Sequence, residues 1–426
     1  MTISSDTPYD VVISGGGMNG LTLSLALESA GLRCVLIEKD RPENLLDVSY
    51  DGRASAIASA CFRQWEALGL GPRLRPHCGL MTEIVVTDTS LPGANTKYSG
   101  SPFILHFWAQ AGRERARFTE ANEPLGYLIE NRQIRAALYE SLSKTAVSII
   151  THSAIKSVTN TSGFSEIIVN TGQTLKARLV VAAEGRNSPL RNKANIGVTR
   201  WSYGQSALVL TVALSRPHNQ VAYEHFLPNG PFAVLPMTQN RACIVWTETN
   251  ERARALIMAP GDTLKSHLVR RMGNFLGEID ILGNAFCYPL DMMLAHEMIS
   301  DRLALVGDSA HSIHPIAGQG LNLGLKDVAA LAQVLSEAHQ RGEDIGSSLV
   351  LDRYSRWRRF DTVSTTLATD GFVRLFSNND PLMRLGRGLG MGLVNVSKPM
   401  RDWFIKTAGA DGGDQPRLLQ GIRLMA

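Results

Sequence analysis

Two groups of residues in this chain have types and spacings that can do chemistry. Near the start, Gly15, Gly17 and Gly20 stand at G-x-G-x-x-G spacing, and Glu38 follows further along. Glycine serves three separate ends in such a string. Gly15 permits a tight turn, Gly17 lets a pyrophosphate approach the backbone, and Gly20 lets a helix pack closely on a strand. A helix starting there offers free N–H groups and the positive end of its dipole to phosphate. Glu38 is placed to accept hydrogen bonds from a ribose diol. Alone, the string is an ordinary glycine-rich turn. In a strand–turn–helix–strand–Glu setting it reads as a dinucleotide site, without choosing between FAD and NAD.

The second group makes that choice. Residues 303–322 run from a β-rich stretch through Gly307, Asp308 and His311 into a glycine-rich loop and a helix. Asp308, at a strand end, is placed to bond a polyol hydroxyl. The loop from Pro315 through Gly318, Gly320 and Leu321 to Asn322 presents backbone N–H groups and another helix start. That arrangement suits the N1/C2=O side of a flavin, where negative charge develops on reduction. FAD is the expected cofactor.

These residues need a parallel, helix-covered sheet to hold them. Residues 10–14 read as a strand, 21–30 as a helix closed by Gly31, and 33–38 as a second buried strand. A helix is expected over 129–143, with strands over 147–158, 165–170 and 175–183. Alternating runs over 80–107, then strand-like runs over 207–214, 221–227, 232–235 and 242–247, predict a separate sheet. The chain re-enters the first sheet at 303–307 and is mostly helical beyond Ala317, to about residue 407. The expected fold class is α/β: a Rossmann-like FAD-binding domain interleaved with a β-sheet substrate domain and a helical C-terminal region. The expected division is 1–79, 126–190 and 291–350 for the cofactor domain, 80–125 and 191–290 for the substrate domain, and 351–426 for the helical region.

Bulk properties narrow the class. The 426 residues are 44% hydrophobic and 19% charged, which fits an ordered chain with a sizeable core. A net charge of +4, with no dense Lys/Arg run interleaved with aromatics, argues against nucleic acid. Five scattered cysteines without CxxC spacing read as free thiols in a reducing compartment. The polar start lacks a secretory pattern, and no stretch approaches about 20 apolar residues. A cytoplasmic protein, soluble or peripheral on the inner face of the membrane, is expected.

The second motif resembles that of the class A flavoprotein aromatic hydroxylases, and in particular the ubiquinone-biosynthesis hydroxylases of the UbiH/UbiF type. Gly307, Asp308, His311, the stretch 314–325 and Asp327 carry the likeness. Asp51, Gly52 and Arg53, the stretch 230–236, Tyr354, Arg358 and Asp361 extend it, so that it spans residues 9–409. The resemblance implies a hydroxylase using O2 through a flavin C4a-hydroperoxide, with a polyprenylated phenol as substrate, other ubiquinone-biosynthesis enzymes as partners, and NADPH, NADH or a reductase as electron source. It implies a para-hydroxybenzoate-hydroxylase-like form of the α/β fold, and it places Gly15, Gly17, Gly20 and Glu38 on the ADP part of FAD and Arg53 near the flavin and pyrophosphate. It also places Asp308 on the ribityl chain, and Pro315, Gly318, Gly320, Leu321 and Asn322 on the isoalloxazine. A third family element, usually Asp-Gly, stands here as Glu184 and Gly185, with Ser188 and Arg191 downstream, which leaves docking of the nicotinamide open.

Other readings stand beside these. His311 and His314 lack the companions of a metal site, and Asp308, Ser309 and His311 lack the elbow of a hydrolase triad. No metal and no protein nucleophile are expected. Tyr203, Phe226, Phe232 and Trp246 are candidate pocket residues, or plain core aromatics. Residues 371–407 mix apolar and basic side chains, which suits either a membrane-facing surface or an ordinary packing face. A hydroxylase of small soluble phenols, or a non-catalytic flavoprotein of a quinone-synthesis assembly, are the alternative functions.

Overall fold

The structure, a computed structural model, describes residues 7–47, 53–87, 104–108, 123–227, 229–314, 318–376 and 414–425. Pro315 and most of the basic segment 371–407 lie outside these. Residues 10–14 fall in a strand, Tyr9–Ser14, whose pattern of Val and Ile on both faces belongs to a doubly covered parallel sheet. It pairs in parallel with Cys34–Ile37 on one side and Thr174–Ala182 on the other. Ser148–Ile150 and Leu303–Leu305 extend the parallel set outward. Ser165–Val169, Ile155–Asn160 and Ile299–Ser300 join antiparallel, giving eight strands in all.

Helices Met18–Ser29, Asn131–Leu142 and Gln319–Gln340 cover this sheet. The first is apolar nearly all round, with Leu21, Leu23 and Leu27 fully buried, because it is enclosed between the sheet and the long helix. A second sheet of eight strands runs in the order His311–Ser312, Ile279–Ala295, Val198–Leu214, Arg241–Thr249, Gly230–Pro236, Val221–Leu227, Glu83–Thr87, Ile104–Trp108. Its two faces do different work. Leu208, Leu210, Phe232, Ile244 and Trp246 face helices Asn250–Ile257 and Gly261–Met272. The alternate residues, including Ala207, Val209, Ala222 and Cys243, face a small sheet of Ala54–Ala58, Gly126–Glu130 and Gly79–Met81. That small sheet is the coupling between the two large ones. Among the described residues no helix is long and apolar enough to cross a membrane.

Candidate active site

Four parallel strands assemble the site. Leu303–Leu305, Thr174–Ala182, Tyr9–Ser14 and Cys34–Ile37 are neighbours in that order. Just past their carboxyl ends stand Asp308, Glu184, Gly15 and Glu38 respectively. At about 4.8 Å per strand this row is about 14 Å long, and it lies on the sheet edge where open α/β folds take their ligands. Residues far apart in sequence become one elongated site through sheet order alone.

The glycines differ in what they do. Gly15 has φ +110°, and a side chain there would strike the Ala183 carbonyl. A side chain on Gly20 would strike the Gly15 carbonyl, so that the helix sits directly against the turn. Gly17 has nothing within 4 Å of where a Cβ would stand. It is also the N-cap of Met18–Ser29, and no side chain caps that end. Glu38 is buried and accepts hydrogen bonds from the N–H of Gly16 and, at 2.9 Å, of Asp40. Glu184 is braced by protein: Ser14 Oγ donates to it at 2.7 Å, Ser188 Oγ at 2.6 Å and the Leu190 N–H at 3.0 Å. The carboxylate stitches the strand end to the helix Pro189–Lys193.

Asp308 is held by a buried ionic cluster beneath it. Asp327 is fully buried and accepts from the Gly307 N–H at 3.0 Å and from Arg358 Nε at 2.8 Å. Its Oδ2 also meets His311 Nε2 at 2.6 Å. Burial works to raise the Asp327 carboxyl, but His311 and Arg358 together hold it below the ordinary value. Arg358 reaches Asp361 at 2.7 Å, and Tyr354 donates to the Leu305 carbonyl at 2.7 Å. From the other side, buried Arg191 donates to the Ser309 carbonyl at 2.9 Å and to the Arg186 carbonyl at 3.0 Å. The loop is thus pinned at Gly307, Ser309 and His311, which leaves Asp308 half-exposed toward the row. Burial pushes the Asp308 carboxyl up, while His311, Arg186 and Arg53 pull it back.

The long helix Gln319–Gln340 begins at Gly318, which has φ +66° and whose Cβ would crowd Ala56. No side chain caps this end either, and Gly320 has open space beside it. Asn322 donates to the carbonyls of Ala56 (2.9 Å) and Gly318 (3.0 Å) and accepts from the Ala58 N–H at 2.9 Å. Its amide therefore ties the helix start to the strand Ala54–Ala58, and Leu321 packs against the main core. Arg53, exposed at the head of that strand, places its guanidinium 4.7 Å from the Tyr288 ring centroid.

The structure separates the four aromatic candidates. Phe232 and Trp246 form an edge-on pair 5.9 Å apart in the core beneath the two helices, on the face turned away from the small sheet. Strand alternation puts both on the far side, where they are core aromatics, the second of their two readings. Tyr203 lies on the near face, edge-on to buried His314 at 5.2 Å, with its hydroxyl donating to Asp370 at 3.1 Å. Strand alternation puts Phe226 on the near face with Ala222. Sequence reasoning missed Asn19, Arg186 and Glu224. Asn19 had a signal, being the one polar side chain inside the glycine string; its amide fills the space beside Gly307 and Gly324. The other two carry no local pattern.

These residues fit FAD. The open cradles at Gly17 and Gly320 sit at two uncapped helix starts, and Asn19 Oδ1 is buried with no partner among the described residues. A buried acceptor left unpaired costs about 1–3 kcal/mol, so a bound donor belongs there. Among the described residues no group of three or more His, Cys, Asp or Glu could hold a metal.

Comparison with known proteins agrees with this geometry. Residues 8–365 match a family model described as FAD binding domain. The chain is 40% identical to ubiquinone hydroxylase UbiL of Rhodospirillum rubrum, over 100% of this chain and 95% of that protein. It is 32% identical to 3-demethoxyubiquinol 3-hydroxylase of Escherichia coli, over 91% of this chain and 95% of that one. Among solved structures, p-nitrophenol 4-monooxygenase PnpA of Pseudomonas putida superposes with a TM-score of 0.75 at 19% identity, covering 96% and 100% of the two chains. By its own site and by this match over most of its length, the chain belongs to the FAD binding domain family, among the FAD-dependent aromatic-ring monooxygenases.

Proposed function

We propose that this protein hydroxylates the aromatic ring of a polyprenylated phenol in ubiquinone biosynthesis, taking O2 as co-substrate and its electrons from NADPH, NADH or a reductase. The observation that carries the reading is the apolar near face of the second sheet. Ala207, Val209, Ala222, Leu235, Val245 and Tyr288 lie there, facing Ala56, Met81 and Leu128. Ala56 in turn touches the start of the flavin-side helix through Gly318 and Asn322. A ring with a long hydrocarbon tail gains about 25 cal/mol for each Å² it buries on such a surface. The relatives that act on ubiquinone rings support the same substrate class.

FAD, when bound, supplies the oxygen activation. The chain's residues do the rest. Gly17 and Gly20 would let the pyrophosphate reach the first helix start, and Glu38 would take the ribose. Asp308 would hold the ribityl hydroxyls, and the N–H groups at Gln319 and Gly320 would serve the pyrimidine side of the flavin. The apolar face orients the ring and excludes water, which raises the fraction of turnovers ending in product. Pro315 belongs to the same proposal as a residue of the flavin side. So does the three-part domain division, with residues 351–426 touching the cytoplasmic leaflet and other enzymes of the route. Deleting the gene and following quinone intermediates by mass spectrometry tests it. Accumulation of a prenylated, under-hydroxylated precursor is expected; an unchanged quinone profile contradicts the assignment.

A further inference from the structure

Glu224 stands on the near face in a position nothing above uses. Its strand, Val221–Leu227, alternates cleanly: Val221 and Tyr223 face the helical core, and Ala222 faces the small sheet. Glu224 therefore shares its side with Ala222 and Phe226. Register places it opposite Val86 on one neighbour and Ala233 on the other, in a row continued by Val245 and Val209. An acid in that row has no ladder partner to meet. Among the described residues no hydrogen bond or ion pair reaches its carboxylate, and no charged group among them moves its titration. The near-face residues around it, Ile84, Ala222, Leu235 and Phe226, carry no titratable group, and the hydroxyl-bearing rings of that cluster among the described residues are Tyr203 and Tyr288.

Glu224 is only part-covered, as are Leu235 and Val245 beside it. Leu235 and Val245 pack in the cluster shared with the small sheet, and register sets Glu224 beside them. The cofactor-side strand crosses this face: Ala54 hydrogen-bonds to Cys243, which is two strands across and two residues along from Glu224, about 12 Å. A phenol ring placed on the face beside Ala54 spans much of that gap.

We infer that Glu224 receives the hydrogen bond, and then the proton, of the substrate's ring hydroxyl. The inference rests on the phenol hydroxylation proposed above. In the step one phenolic O–H bond breaks and one carboxyl O–H bond forms; nothing is oxidised, and the ring gains the electron density of a phenolate. An unpaired carboxylate on an apolar wall has one plain use, which is to meet a donor brought by the ligand. Burial pushes the Glu224 carboxyl up to about 7. That brings it nearer to a phenol, about 10, than an ordinary glutamate at about 4.3 would be. Proton sharing improves as the two values approach.

The test uses the FAD-loaded protein, photoreduced without air, mixed with O2 and 2-farnesylphenol, and scored for ring oxygenation against hydrogen peroxide. Glu224→Gln should retain FAD and its visible circular dichroism but lose about 100-fold in oxygenation rate, with peroxide taking the lost yield. Glu224→Asp should recover part of it, and the rise of the wild-type rate with pH through about 7 should vanish in Glu224→Gln. Wild-type oxygenation matched by Glu224→Gln at every pH overturns the role of Glu224 and leaves the function standing. No oxygenation by the wild-type protein overturns the function, and this role with it.

Discussion

Replacing Asp327 by asparagine tests how Asp308 is positioned. The side-chain volume is kept and the charge is lost. Asp327 serves three donors at once: the Gly307 N–H at 3.0 Å, His311 at 2.6 Å and Arg358 at 2.8 Å. An amide accepts on one side only. If its oxygen keeps Arg358, its NH2 faces the Gly307 N–H, donor against donor. If it flips, Arg358 loses its partner at a site where all three side chains are buried. Breaking a buried ion pair from one side costs about 3–5 kcal/mol. For a chain of this length unfolding entropy is about 0.9 kcal/mol per kelvin, so the thermal midpoint should fall by about 3–6 °C. Gly307 has φ +60° and precedes Asp308 directly. Freeing its N–H therefore shifts the Asp308 carboxylate, and on the proposed role of Asp308 FAD affinity should drop at least about tenfold, equivalent to about 1.4 kcal/mol. Guanidinium unfolding of the FAD-free protein and flavin fluorescence titration measure the two losses. Arg358→Met should cost a similar amount, and the double variant clearly less than the sum. A loss under about 1 kcal/mol with wild-type FAD affinity, or strict additivity, would refute the reasoning.

Four further perturbations test the same structure. Gly15→Ala should destabilise the FAD-free protein by about 1–3 kcal/mol, because of its φ of +110° and the Ala183 carbonyl. Gly17→Ala, with open space around it, should cost unfolding only the loss of a glycine N-cap, under about 1 kcal/mol, and weaken FAD binding by more; equal effects on both quantities would contradict this. Asp308→Ala should keep or slightly raise the stability of the FAD-free protein, since burial already disfavours that carboxylate, while purified protein loses its yellow colour. Retained flavin would count against Asp308. Buried His225 and His314 are each held neutral in the fold, down to about 4, against an ordinary value of 6.5. As pH falls the unfolded chain takes up these protons first, so stability present above pH 6.5 is lost toward pH 4, by up to about 1.4 kcal/mol per pH unit for each histidine. Replacing both with phenylalanine should flatten this slope in a urea series; an unchanged slope would sink the attribution.

The cofactor half of the site was legible because its chemistry sits in continuous strings. Gly15 to Glu38 and residues 303–322 each encode strand, turn and helix together, and parallel pairing then places their ends side by side. The ring half was not legible in this way. Phe232 and Trp246 attract attention by size, yet period-2 alternation sends them to the far face, and which face meets the cofactor depends on pairings between distant strands. The same reason hid Glu224, whose neighbours Val86 and Ala233 come from elsewhere in the chain. The 17-residue strand Ile279–Ala295 escaped because its outer half is half-exposed and interrupted by Gly283 and Pro289, so no clean apolar period marks it. Glu184 was legible as a departure from Asp, but not its work: only the fold brings Ser14 across to meet it.

The most direct test of the central claim is a single turnover of the FAD-loaded protein, with flavin photoreduced, mixed with isotopically labelled O2 and a prenylated phenol. The account predicts one labelled oxygen atom in a ring hydroxyl of the product, with the flavin returned to its oxidised spectrum. Oxidation of the flavin that yields only labelled hydrogen peroxide, with the phenol recovered intact, would contradict it.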